Sequence, residues 1–422
     1  MKTAILKFAY SLIGKSPRKT RLIKKYSDEL AAFLGTQDKI IFPAIQNPTI
    51  SVLIPVWNSA YHTLRCLQSL AADKSCALEV IVFNNASNDK TTELLDRCEN
   101  IVVINSPVNI GFVGATNGAA AVATGRLVLM MNNDITIASG SLNDAAKLFD
   151  SESNIGAVGA LLKLATGRLQ EAGAIIYRDG TTNGFLRHRK REMAEGMFIR
   201  DVDYCSGAFL LLDRKNFIGI GSLDETFAPG YYEETDLCMR IRSLGSRVVY
   251  TPELILSHFE FGSFASGAAF ERMERNRKLF VQRWRKELNG ENFSAPFSSS
   301  FVASRRLVRK PRLLLILENL ESEVARKAIA KLVEQRWHIS LFVNGLKTVD
   351  WPKFHKAYSA KVEFIPDQGL RRLKKTRAKY FHQILSFDQK TKRQLQTTVI
   401  DESIASDLIA SIESINKTLQ LH

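Results

Sequence analysis

Three short apolar runs rich in β-branched residues, separated by helix-patterned segments, restrict the first part of this chain to a parallel α/β sheet. Thr49–Val56 reads as a buried strand closed by Pro55 and by the loop residues Trp57 and Asn58. A helix is expected from Ala60 to Ala72, a second strand at Leu78–Phe83, a helix from Thr91 to Cys98 and a third strand at Ile101–Ile104. The turn and helix-capping cluster Asn84–Asp89 separates the second strand from its helix. Strands linked by helical crossovers run parallel, and ligands of such sheets bind beyond the strands' carboxyl ends. The polar loops after each strand are therefore where function is to be sought.

Three of these loops carry candidate chemistry. Asn109–Gly114 opens a helix of small residues through Asn117, Gly118 and Ala123, which permits close approach of a backbone or a ligand. The strand-like Arg126–Met131 ends in Asn132, Asn133 and Asp134; about a hundred residues later come Tyr231–Asp236 and then His258. A carboxylate at a strand end can hold a divalent cation, a histidine can complete its shell, and a separate acidic cluster can supply a base. The competing readings are structural: acids are favoured in the first turn of a helix, and a lone histidine is usually a hydrogen-bonded core residue.

Beyond the acidic cluster, Phe270–Leu288 reads as a very basic helix with Arg275 and Arg277 on a solvated or phosphate-gripping face and Phe280 and Trp284 turned inward. Asn289, Gly290 and a serine-rich stretch mark a linker. A βαβ unit follows, with strands at Arg312–Leu317 and His338–Val343 around a helix from Ser322 to Gln335. Further strands are expected at Val362–Ile365 and Phe381–Phe387. No glycine-rich phosphate loop follows Leu317. The chain thus divides into a basic helical leader (1–48), a catalytic α/β domain (49–300) and a small Rossmann-like α/β domain (305–422).

The 422 residues carry a formal charge of +15, and 45% of them are hydrophobic and 24% charged. That composition excludes disorder as the main theme. The positive balance raises nucleic acid and anionic membrane as partners. No nucleic-acid recognition motif accompanies the basic residues, so no specific nucleic acid is expected. Lys2, Lys7, Lys15, Arg18 and Lys19 punctuate Ile5, Leu6, Phe8, Leu12 and Ile13 at helical spacing. This suits an interfacial helix and equally a solvated helix packed on the catalytic domain. No apolar stretch reaches the roughly 20 residues a bilayer span needs. An odd set of five cysteines without metal-ligand spacing fits reduced thiols in the cytoplasm.

In this order the motifs resemble glycosyltransferase family 2, particularly its rhamnosyltransferase-like bacterial members, over about residues 49–288. Ile54–Asn58, with Pro55, Val56, Trp57 and Asn58, looks like the family's first nucleotide loop, and Asn84–Asp89 like its second. Asn109, Gly111 and Asn117 are similar to the segment along the donor. Asn132, Asn133 and Asp134 occupy the metal motif. Cys205–Ala208, whose Ser206 and Gly207 are implied donor-binding residues, and then Leu223–Glu225, Tyr231–Arg240 and His258 follow the family's acceptor-side order. The resemblance implies a GT-A fold: a Rossmann-like nucleotide-diphospho-sugar transferase domain, here with a smaller C-terminal α/β domain.

It implies an inverting, metal-dependent transferase that moves a sugar from a UDP- or dTDP-type donor to a hydroxyl of a glycan or lipid-linked glycan. Lipopolysaccharide or capsule synthesis at the inner face of the plasma membrane is the implied setting. Asp134 and His258 are the implied ligands of Mn2+ or Mg2+. Glu234 is the implied base, with Glu233 as the alternative and Tyr232, Asp236 and Arg240 on the acceptor side. Asp236 equally suits a salt bridge to Arg240 one helical turn away. Two departures from the family pattern, Asn84 and Asn132 in place of aspartates, weaken inference about the base read and leave Asn132 for ribose or water. The alternatives are a sugar-phosphate nucleotidyltransferase and a non-catalytic nucleotide-sugar-binding scaffold.

Overall fold

A computed structural model describes residues 17–189, 193–260, 267–290, 293–296 and 300–308. Toward the C-terminus it describes 312–317, 323–334, 337–343, 345–347, 350–358, 360–365, 383–386 and 398–399. The leader residues 1–16, Ser263 of the post-histidine segment and the loop after Leu317 lie outside the described residues. The chain forms two compact units, one of residues 1–191 and 202–306, the other of 192–201 and 307–422.

The first unit is built on strands β1 (Ile50–Val56), β2 (Leu78–Asn85), β3 (Val102–Ser106), β4 (Leu127–Met131), β5 (Ile155–Leu164), β6 (Phe209–Asp213) and β7 (Arg247–His258). They lie in the order β7-β5-β6-β4-β1-β2-β3. β1 to β4 are mutually parallel, β6 runs antiparallel to both β4 and β5, and β7 is parallel to β5. The expected α/β sheet is present with one reversed strand inserted. Both faces of the central strands are covered, which explains why β4 is buried at all five positions instead of alternating.

Helices α1 (Pro17–Leu34), α2 (Ala60–Ala72), α3 (Thr91–Leu95), α4 (Gly111–Ala120), α5 (Ser141–Ser151), α6 (Glu233–Ser243) and α7 (Gly267–Arg283) complete the unit. Helix α2 has its expected bounds. Helix α3 stops short of the expected Cys98 because Cys98 and Glu99 pair instead with Ile40 and Ile41. The long basic helix breaks at Trp284, and a further turn follows at Arg285–Leu288.

Within the leader, Ile40–Ile41 forms a short strand parallel to Cys98–Glu99, and helix α1 packs on the domain. Its Lys19 is buried, Tyr26 meets His62 edge-on, and Glu29 pairs with Arg65 at 2.6 Å. Arg21, Lys24 and Lys25 face an open groove with Asp28 and Glu29. Among the described residues no helix is long and apolar enough to cross a membrane. All five cysteines are free thiols.

The second unit holds a sheet of strands β8 (Arg312–Leu317), β9 (His338–Val343), β10 (Glu363–Ile365), β11 (Gln383–Ser386) and β12 (Thr398–Val399), in the order β10-β9-β8-β11-β12. Every pairing is parallel. Helices α8 (Glu323–Glu334) and α9 (Trp351–Tyr358) bury Ala325, Ile329, Leu332 and Phe354 in a core with Leu313, Leu315 and Phe364. On the opposite face of the sheet, buried Glu363 accepts hydrogen bonds from His338 at 3.0 Å and Ser340 at 2.8 Å.

Candidate active site

Strand pairing creates the first half of the site. The end of β7 pairs antiparallel with the short strand Ile135–Thr136, placing His258 opposite Ile135, and the Phe259 N–H donates to the Asp134 carbonyl at 3.1 Å. His258 Nε2 thereby lies 3.0 Å from Asp134 Oδ1, both side chains being nearly buried. A hairpin strand on β5, Leu169–Ala172, brings Gln170, whose Oε1 lies 2.6 Å from His258 Nδ1. With Nδ1 committed to Gln170, Nε2 is the ring atom left to bind a proton or a cation. Asn132 Nδ2 stands 3.5 Å from the same Nε2.

Burial opposes charge on this pair, but each partner's charge outweighs it: the His258 imidazole is held above its usual pKa and the Asp134 carboxyl below. The arrangement fits a divalent cation. A carboxylate oxygen and an imidazole nitrogen suit manganese, and their 3.0 Å separation is that of adjacent octahedral ligands at about 2.1 Å. Among the described residues no group of three or more His, Cys, Asp or Glu surrounds a cation-sized space. Beside them His62 is buried with Nε2 lacking a hydrogen-bond partner, and burial pushes its pKa down to about 4.

The second half of the site is the start of α6. Tyr231 and Tyr232 both have left-handed backbones, with φ of 78° and 71°, and lead directly into Glu233 and Glu234. Two consecutive non-glycine residues in this region store strain, which persists where surrounding contacts hold it. Glu233 Oε2 and Glu234 Oε2 are both buried without a hydrogen-bond partner. Burial raises both carboxyls. Glu234 is opposed by the backbone N–H groups of Glu234, Thr235 and Gly207, whereas Glu233 also feels Glu234's charge. The two carboxyls therefore titrate as a pair, both raised, and the first proton lost belongs to the pair and not to either residue. Gly207 makes this fit possible: a Cβ there would stand 3.3 Å from Glu234 Cβ.

Glu171, which the sequence offered no motif to find, accepts the Ser206 N–H at 2.9 Å and feels the charges of both Glu234 and His258. Burial pushes its carboxyl up to about 7, against the pull of Ser206 and Arg187. A carboxyl raised in the folded state contributes stability fully below its unfolded pKa, and that contribution disappears as pH rises through the folded value. Glu171→Gln, which keeps an acceptor for Ser206, is therefore expected to gain on the order of 3 kcal/mol over the parent between pH 5 and pH 8. Chemical denaturation at the two pH values checks this. An unchanged difference between the two proteins would refute the assignment.

Several residues expected to touch ligand are instead held by the scaffold. Asn117 bonds the Leu223 backbone both ways, at 2.9 and 3.0 Å. Asp236 is fully buried and held by Arg240 at 2.7 Å, Arg283 at 3.0 Å and the Trp284 indole at 2.8 Å. The remaining Arg240 donors go to the carbonyls of Ile220 and Ser222. The expected salt bridge between Asp236 and Arg240 is thus present. The Tyr232 hydroxyl donates to Gly180 and its ring packs on Phe280. Asp89 joins the starts of two helices through the N–H groups of Ala60 and Thr91.

Asn84 is buried, donating to Asn105 and accepting from the Ser87 N–H. Its neighbour Asn85 shapes the Asn109–Gly111 turn, donating to Asn109 Oδ1 and the Gly111 carbonyl. Asn58 receives the Asn88 N–H, and Asn133 donates to Thr63. In the first loop Val56 is buried, Pro55 is partly covered and Trp57 remains 38% exposed. The basic helix spends its arginines on the protein: Arg275 on Ala228, and Arg277 on Asp179 and Glu274.

The Asn109–Gly111 turn abuts the loop before α6. At Gly111, φ is 79° and a Cβ would meet Pro229 Cβ at 2.5 Å and its Cα at 2.8 Å. Gly111→Ala combines a left-handed backbone with a clash against a rigid ring and is expected to cost about 2 kcal/mol. A thermal melt unchanged from the parent would contradict this packing.

Residues 51–220 match the family model for Glycosyl transferase family 2. The chain is similar to the O-antigen biosynthesis protein RfbC of Myxococcus xanthus, with 28% identity over 251 residues, covering 56% of this chain and 19% of the relative. It is 25% identical over 264 residues to the uncharacterized protein y4gI of Sinorhizobium fredii (strain NBRC 101917 / NGR234), covering 58% and 29%. The matches thus span less than a third of these relatives' length. Among solved structures, GalNAc-T7 with UDP, GalNAc and Mn2+ superposes with a TM-score of 0.44 at 14% identity, over 58% of this chain and 49% of that one.

Proposed function

We propose that this chain, whose residues 51–220 are a glycosyltransferase family 2 domain in a GT-A-type α/β sheet, transfers a sugar from a nucleoside-diphosphate donor to a glycan hydroxyl with inversion. One observation carries the proposal. A paired carboxylate and imidazole at the end of β7 accompany two adjacent buried glutamates at a helix start, each with one carboxyl oxygen lacking a hydrogen-bond partner, within one domain.

In this reading Asp134 and His258 hold Mn2+ or Mg2+, Gln170 orients the imidazole, and donor oxygens and water complete the shell. The cation would supply Lewis-acid stabilisation of the departing diphosphate. Glu234, held by the backbone N–H groups of Gly207 and Thr235, accepts the proton of the attacking hydroxyl, with Glu233 as the alternative base. The raised Glu234 is the base only when ionised, so activity rises with pH through its folded pKa. Trp57, the exposed side chain of the first loop, offers a stacking face for the base, and Ser206 and Gly207 line the donor side. A UDP- or dTDP-type donor, a lipid-linked acceptor in cell-surface polysaccharide synthesis, and attachment to the inner face of the plasma membrane through α1's basic face belong to the same proposal.

Purified protein incubated with UDP-, dTDP- and GDP-sugars in Mn2+ or Mg2+ tests it by nucleoside diphosphate release. Metal-dependent release from one donor supports transfer. Pyrophosphate formed from a sugar phosphate and a nucleoside triphosphate would replace it with nucleotidyl transfer. Binding without release under any acceptor would favour a scaffold.

A further inference from the structure

The loop that delivers the glutamate pair is gripped carbonyl by carbonyl. Asn276 of α7 is fully buried, and its Nδ2 donates to the carbonyls of Phe227 at 2.7 Å, Gly230 at 3.0 Å and Tyr231 at 2.8 Å. Arg275 donates to the Ala228 carbonyl at 2.5 Å, and its Nε donates to Asn276 Oδ1 at 2.8 Å, which fixes the amide's orientation. The Pro229 carbonyl accepts the Phe112 N–H at 2.7 Å from the start of α4. Every carbonyl from Phe227 to Tyr231 is thus bound from outside the loop, four of them by two adjacent residues of α7.

This grip sits where the backbone most needs one. The two left-handed tyrosines hold a strained backbone, and a loop free to relax would rotate the first turn of α6. A single buried amide serving three carbonyls is more than a helix–loop contact requires. Its removal would leave those carbonyls buried and unpaired, and the loop would move to find water. The same loop packs against Gly111, so its position ties the Asn109–Gly111 turn to the glutamates.

We infer that Asn276 is a positioning residue for the transfer reaction, holding Glu234 in register with the Asn109–Gly111 turn by clamping the Phe227–Tyr231 carbonyls. The inference rests on the transferase reading above. Asn276 touches neither donor nor acceptor; it acts through the loop.

The test compares kcat, KM and pH profile for the full-length parent, Asn276→Ala, Asn276→Asp and Arg275→Gln, alongside thermal melts. Loss of the clamp is expected to lower kcat about 100-fold with donor KM within about threefold, as for misplacement of a reacting group. The acid limb of kcat should also move to lower pH, because a loosened Glu234 is better hydrated and its raised pKa relaxes toward the ordinary value. The groups facing it are Glu233, Tyr232, Glu171, Tyr204 and Cys238, all unchanged in these variants. Arg275→Gln should shift both readouts the same way by a smaller amount and keeps the test open should Asn276→Ala fail to fold. Variants that lose only melting temperature, with the parent's kcat and acid limb in the folded fraction, would overturn the inference and leave the transferase reading standing. A parent with no turnover on any donor would remove both.

Discussion

Glu234→Gln is expected to lower kcat by about 10²–10⁴-fold, the range lost with a general base, while donor binding is retained. The fold should not suffer. Glu234 Oε2 has no hydrogen-bond partner to lose, and burial already disfavours the charge that glutamine removes. The melting temperature at pH 8 should equal or exceed the parent's, since the raised carboxyl must ionise there against its surroundings. Glu233→Gln is the discriminating control. Glu233 is buried beside the base and takes no proton from the acceptor in this reading, so a neutral amide of the same shape should cost about tenfold. The opposite ranking, with Glu233→Gln inactive and Glu234→Gln near parental, would exchange the two roles.

Asp134→Ala should be comparably severe, at about 10³-fold in turnover, and should also remove the divalent-cation dependence of nucleotide binding. A readout independent of turnover exists. Manganese is expected to raise the parent's melting temperature and leave that of Asp134→Ala unchanged, because a ligand that binds only the folded state stabilises it. Without its carboxylate partner, His258 loses the main influence that opposes burial, and its pKa should fall. Nuclear magnetic resonance titration of the ring follows that shift. A variant that still responds to manganese, or whose His258 pKa stays high, would remove Asp134 from the cation site. His258→Gln should reproduce the lost manganese response by way of the other ligand.

Local pattern in the sequence determined the elements and the chemistry-bearing types. Helix Ala60–Ala72 and strands Arg312–Leu317 and His338–Val343 follow from short-range periodicity and punctuation, and the structure forms them with those bounds. The polar loops at strand ends were legible for the same reason, since a parallel strand's carboxyl end is where its chain turns. The motif order was specific enough to select Asp134, His258, Glu233 and Glu234, and the structure pairs the first two and buries the last two together.

Which polar residues serve a ligand and which serve the scaffold was decided only in three dimensions. Asn117, Asp89 and Asp236 have the types and spacing of binding residues, yet each is consumed by a partner brought close through the fold, 106 residues away for Leu223 and 48 for Trp284. Gln170, Glu171 and Asn276 lie in unremarkable local sequence and acquire meaning from pairing: the hairpin on β5 brings Gln170 to His258, and α7 lays Asn276 across a loop 45 residues earlier. The reversed strand β6 escaped the alternating pattern because strand direction depends on which neighbours close the sheet, not on the strand's own residues. A side chain's hydrogen-bonding capacity is written in its type. Whether that capacity is spent inside the protein depends on distances that only the packed chain establishes.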